Sequence, residues 1–139
     1  MTIQPATTLI GDERFVALTT FRKSGAPVAT TVWIAKDGAA LLVLTPDESG
    51  KVKRVRNNAA VQLRPSGRQG KVDDAAVTIH GKAEIIAATT DVERGKAIFR
   101  AKYGIEFKIT MAIERIFARR QKPRVLLRIT GAAPAAVVD

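Results

Sequence analysis

The chain has 139 residues, 46% of them hydrophobic and 26% charged, with 23 Lys and Arg against 13 Asp and Glu, a net charge of +10 and no cysteine. That is one domain, 1–139, able to bury roughly two-thirds of its unfolded surface, and its composition is that of a globular protein rather than a disordered or membrane-spanning one. The lack of cysteine excludes disulfides and thiolate chemistry, a single histidine, His80, excludes a His-built metal cluster within one chain, and the positive excess asks for an anionic ligand or partner. Met1 to Pro5 has neither a basic lead nor an apolar core, so the expected compartment is the cytoplasm.

Residues 1–13 read as a lead-in with a short helix capped by Thr7 and Thr8, and the folded core is expected over about 13–130. Arg14 to Phe21 alternates with period two, Phe15, Ala17, Thr19 and Phe21 against Val16, Leu18 and Thr20, which predicts a strand. Lys23-Ser24-Gly25 is a turn, Ala26 to Ala35 a second strand, Lys36-Asp37-Gly38 a tight turn, and Ala39 to Thr45 a third strand. Then comes a short basic helix, with Ser49 as N-cap, Val52 and Val55 as its apolar side, and Asn57 and Asn58 as a left-handed stop. Ala60 to Arg64 is a fourth strand and Ala75 to Ala87 a long fifth, with Gly81 marking a bulge. Thr89-Thr90-Asp91 caps a helix from Val92 to Tyr103 that ends at Gly104. Ile105 to Ala118 has Ile109, Ala112, Ile113, Ile116 and Phe117 at helical spacing and reads as a further helix with these as its apolar side. Arg124 to Thr130 is the last strand, and 131–139 a frayed tail. The expected fold is mainly β, a small six-stranded antiparallel barrel with flanking helices; the split form of that barrel is what the resemblance below implies.

The charge is concentrated. Lys51, Lys53, Arg54, Arg56, Arg64, Arg68 and Lys71 follow one another with no acid between them, and Arg115, Arg119, Arg120, Lys122, Arg124 and Arg128 form a second block. A helix N-terminus prefers acids, so Lys51 in the first turn of the basic helix opposes the helix dipole. A bound anion would remove that conflict. Free first-turn amides, the hydroxyls of Thr45 and Ser49, and Lys51 make a phosphate cradle placed directly after a strand. A merely solvated basic helix would have the same composition.

The strings FVALTTFRKSGAPVATTVWIAKDG, LTPDESGKVKRVRNN and RAKYG resemble the pyridoxamine 5′-phosphate oxidase-like superfamily of flavin-binding split barrels, and within it the branch that uses the deazaflavin coenzyme F-420. The resemblance runs from about Glu13 to Thr130 and implies a homodimer with cofactor sites at the interface. It puts Thr45, Ser49 and Lys51 at the cofactor phosphate. Gly50 stands where the oxidases carry Arg, which changes that grip. Lys53, Arg54, Asn57 and Arg64 join the site through the basic helix and the strand after it, where an acidic cofactor tail would reward the extra charge. Thr30, Thr31, Val32 and Trp33 match the strand that lies along the cofactor ring. Thr30 again replaces an oxidase Arg, which argues against pyridoxamine phosphate oxidation.

A deazaflavin or a flavin supplies hydride transfer itself, so no acid or base is obligatory, and none stands out. His80 reads as a barrel-wall residue, Tyr103 as a packed ring with its hydroxyl bonded, and Trp33 as either core or a ring-stacking residue of the site. Arg64 and Arg68 either reach the ligand tail or are solvated. Asp47-Glu48 and Asp73-Asp74 read as loop solvation, and the C-terminal basic block as an exposed helix end. Two function classes follow: an oxidoreductase using F-420, or alternatively FMN, on a small unsaturated substrate, and a non-enzymatic binder of cofactor or nucleic acid. The absence of aromatic residues from Lys51 to Lys71 disfavours nucleic acid.

Overall fold

Alternation in the first strand decides which way the sheet curls. β1 (Val16–Phe21) turns Val16, Leu18 and Thr20 inward, each fully buried, and its other residues outward. A computed structural model describes residues 10–73, 76–117 and 123–134, over 114–117 and 132–134 as backbone; the predicted lead-in through Leu9 lies outside the described residues. After β1 come β2 (Pro27–Val32), β3 (Ala35–Asp37), β4 (Ala40–Pro46), α1 (Gly50–Asn57), β5 (Ala60–Pro65), β6 (Ile79–Ile86), α2 (Thr89–Tyr103), α3 (Ile105–Phe117) and β7 (Arg124–Pro134). The strands form one antiparallel sheet in the order β2-β1-β5-β6-β7-β4-β3. It curls into a split barrel whose two edges are the consecutive strands β2 and β3.

Two cores sit on the two faces of this sheet. Inside the curl, Val16, Leu18, Leu41, Val43, Leu63, Leu127 and Ile129 pack together, and α1 closes the barrel by inserting Val52 and Val55. Burying those two valines is worth roughly 1.5–3 kcal/mol each. On the outer face, Ala35, Leu42 and Leu126 meet Phe99, Tyr103 and Phe107 from α2 and α3. β4 is therefore buried on both faces, which explains its unbroken apolar run. Gly95 lets α2 lie directly on β7, because a Cβ there would stand 2.6 Å from Leu126 Cδ1. Asp37 bonds Arg94 of α2 and lies 3.4 Å from Arg128 of β7. These guanidiniums, Arg94 first, hold its carboxyl below the usual range. Among the described residues no helix is long and apolar enough to cross a membrane.

Several expectations are corrected. There are seven strands, not six, because the predicted second strand breaks at Trp33-Ile34 and resumes as β3. The long fifth strand is shorter, Ile79–Ile86, with 76–78 outside the ladder. The bulge at Gly81 is present as a register shift between His80 and Lys82. The last strand runs on to Pro134, with Ala133 and Pro134 paired to His80 and Ile79 of β6 rather than frayed, while 135–139 lie outside the described residues. Asn58 closes α1 in an extended conformation, φ −148°, not a left-handed one, and accepts from Ala60 N through its side chain. α2 starts at Thr89, so Ala88 is its N-cap and the Thr89-Thr90-Asp91 cluster lies within the first turn. α3 forms as expected but turns its other side inward: Phe107 is buried, while Ile105, Ile109 and Ile113 are exposed. The sheet surface under α3 is already filled by α2, which leaves room for one ridge of α3 only. The C-terminal basic block is not one exposed helix end, since Arg124 and Arg128 belong to β7; residues 118–122 lie outside the described residues.

Candidate functional site

The break at Trp33-Ile34 leaves buried backbone groups without sheet partners, and such groups must be satisfied elsewhere. Two consecutive side chains at the end of α2 do this. Ile34 N donates to Tyr103 Oη at 2.9 Å, and the hydroxyl lies 3.0 Å from Ile34 O and 2.9 Å from Arg14 O. Lys102 Nζ donates to Ile34 O at 2.6 Å, Gly11 O at 2.8 Å and Glu13 O at 2.5 Å, which uses all three of its donors. Burial pushes the Lys102 pKa down to about 8, against the pull of Asp12, and burial pushes the Tyr103 phenol up. The Trp33 ring stacks on Tyr103 with centroids 4.3 Å apart and planes 10° from parallel. The expected role of Tyr103, a packed ring with a bonded hydroxyl, is what the structure has.

Trp33 stands at the wall of a cleft of about 230 Å³ where the edge of β2 approaches the end of β4 below α3. Thr31, Val32, Trp33, Thr45 and Lys51 all line it. Thr45 is buried and donates to Ser49 Oγ at 3.0 Å, while Ser49 caps α1 and accepts from Val52 N at 3.5 Å. Lys51 is half-buried and makes no ion pair among the described residues. Burial, with Arg54 nearby, pulls its pKa below that of an ordinary lysine. Arg54 is braced: its Nε donates to the fully buried Thr20 at 2.6 Å, and its guanidinium lies across Gly50, where a Cβ would come within 2.7 Å of Nη1. The missing side chain at Gly50 is what makes room for it. No acid stands in the first turn of α1. Lys51 and the Thr45 hydroxyl thus line the cleft, with Arg54 and Ser49 next to them behind its wall, an arrangement that attracts an anion.

The other sequence-predicted positions fall elsewhere. Thr30 points into the barrel, opposite to Thr31, with its hydroxyl buried and unpaired. Lys53 is exposed, and Asn57, also exposed, bonds Lys53 O. Arg64 lies across β1 from Thr31 in register and donates to the carbonyls of Asp73 and Ala76, strapping the loop before β6. Residues not expected at the cleft are Phe107, Thr110 and Met111 of α3, and Arg124. Arg124 is half-buried opposite Pro46 in the β4–β7 ladder, and burial lowers its pKa. Only that long-range pairing brings it beside Thr45; its one local sign is its place at the start of a strand behind Pro123.

A conserved hypothetical protein from Mycobacterium tuberculosis superposes with a TM-score of 0.66 at 18% identity, covering 100% of this chain and 94% of that one. An F-420 reductase superposes at 0.60 and 17% identity, covering 96% and 97%. A heme storage protein from Vibrio cholerae superposes at 0.65 and 13% identity, covering 96% and 95%. At such identities the likeness is one of fold. No curated protein matches the sequence. Residues 4–134 match the pyridoxamine 5′-phosphate oxidase family, nearly the whole chain, and the chain therefore belongs to that family.

Proposed function

We propose that the chain is an oxidoreductase that holds a phosphorylated planar redox cofactor in this cleft, coenzyme F-420 in preference to FMN, and acts on a small unsaturated organic substrate. The observation that carries the reading is Lys51: a half-buried cation beside a second cation, in no ion pair among the described residues, facing the cleft that Trp33 walls. Such a site is unfavourable until an anion neutralises it. Thr45, Ser49 and Lys51 would hold the phosphate, with Arg54 behind them, and Thr31, Val32 and Trp33 would flank the ring. When bound, such a cofactor supplies the hydride chemistry. The chain binds it, orients it and shields it from water. The exposed Lys53 and Arg56 extend positive charge along α1, which suits an acidic tail better than a single phosphate and so favours F-420 over FMN.

The cleft is open on one side, and we infer that a second copy completes it. α3 lines the cleft with Phe107, Thr110 and Met111 while Ile105, Ile109 and Ile113, 71%, 50% and 49% exposed, form an apolar stripe along the same helix. A partner seated on that stripe would hold α3 in place over the cleft from its far side. Trp33 is the only tryptophan, so its emission reports the site directly. Saturating F-420 should quench it, and unchanged emission at saturation would remove the ring from this strand.

A further inference from the structure

Glu93, Lys96 and Arg100 recur at i, i+3 and i+7 on α2 and so share one face. With Phe107, Lys108 and Met111 of α3 they bound a groove of about 480 Å³. Its charge is three cations to one carboxylate, and the one pair within it is Lys96 to Glu93 at 3.3 Å. The Lys96 side chain is 19% exposed and that of Glu93 61%, so the lysine is the more enclosed of the two. Arg100 lies over the Phe107 ring, 5.5 Å from its centroid, and makes no ion pair among the described residues. The ring fixes the guanidinium through its face and leaves its N–H edges for a ligand. Phe107 and Met111 also wall the cleft beside Trp33, so the two cavities adjoin. The groove, about 480 Å³, is by itself within the roughly 300–1,000 Å³ of small-molecule sites.

We propose that this groove recognises the substrate, and that the substrate is a small organic anion. Its unsaturated body lies against Met111 and Ala112 beside the largely buried Phe107, and its carboxylate, sulfonate or phosphate is held by Arg100 and Lys108, with Lys96 behind. The word substrate rests on the reading that the adjoining cleft holds the cofactor; the anion subsite rests on the groove alone.

The test uses two fluorescent probes of similar shape, anionic 1-anilinonaphthalene-8-sulfonate and neutral N-phenyl-1-naphthylamine, titrated into the full chain. In Arg100→Gln/Lys108→Gln the sulfonate should bind about tenfold more weakly, with the neutral probe unchanged. A charge-matched control, Lys23→Gln/Lys71→Gln, removes two cations far from the groove in sequence and should leave both affinities in place. Arg100→Lys, which keeps the charge, should retain most of the sulfonate affinity. The proposal is overturned if the sulfonate ignores Arg100→Gln/Lys108→Gln, if the control loses as much, or if both probes weaken together, which would report damaged packing. F-420 affinity should survive Arg100→Gln/Lys108→Gln. A wild type that binds no cofactor would end the cleft reading, yet a sulfonate dependence on Arg100 and Lys108 would still establish the groove as an organic-anion site.

Discussion

Lys51 is half-buried among groups that do nothing to neutralise it, with Arg54 adding to the repulsion. A residue placed so poorly for stability is well placed for an anion. Lys51→Ala should therefore weaken cofactor binding by about tenfold or more, roughly 1.4 kcal/mol, while the urea midpoint stays at or above that of the wild type. Unchanged affinity would take α1 out of the site. The pH dependence has a definite sign. Burial and Arg54 lower the Lys51 pKa in the unliganded protein, and a bound phosphate raises it again. Affinity should thus be full below the lowered value, and fall as pH rises through it, beginning before an ordinary lysine would lose its proton. Calorimetric titrations in buffers of different ionisation enthalpy should show proton uptake on binding in that range; a flat profile that follows Lys51→Ala would contradict the assignment. Gly50 belongs to the same account, since any side chain there displaces the Arg54 guanidinium braced on Thr20.

The break between β2 and β3 is the element on which the site depends, because it puts Trp33 at the cleft. Tyr103→Phe removes the only hydroxyl that serves Ile34 N and leaves that buried donor unsatisfied, a cost of about 1–3 kcal/mol. The urea midpoint followed by Trp33 emission should fall accordingly, and a loss under about 0.5 kcal/mol would mean the break is held by Lys102 alone. The break was illegible in the sequence for a physical reason. Thr30 to Ile34 is good strand sequence right across the break, and the groups that interrupt it arrive from Lys102 and Tyr103, far along the chain. What local chemistry determines could be read: the alternation of β1, the strand at β4, the Ser49 cap, the Gly81 bulge. What depends on packing could not. α3 has apolar residues on two sides, and periodicity alone does not say which side finds the sheet, so Phe107 and Met111 were missed. Arg124 reaches the cleft only through the β4–β7 ladder. The grouping of Thr45, Ser49 and Lys51 at the cleft was legible because they lie within seven residues; the wall opposite was not, because α3 and β7 supply it.

At the scale of the molecule, the net charge of +10 has a local expression at the mouth of the cleft and a second in the groove between α2 and α3. The barrel is stable in outline by its two cores, but one face of α3 keeps three large isoleucines in water, which a second copy would cover. Light scattering should give the mass of a dimer, and Ile109→Asp should shift it toward monomer and weaken cofactor binding together; a wild-type monomer with full cofactor affinity would show that one chain builds the whole site. The measurement closest to the central claim is a side-by-side titration of the purified protein with F-420 and with FMN at two salt concentrations. The account predicts tighter binding of F-420, weakening steeply with salt because charge along α1 holds the ligand. Preference for FMN with little salt dependence would contradict the assignment of the basic helix to an acidic tail, and binding of neither would contradict the cofactor cleft itself.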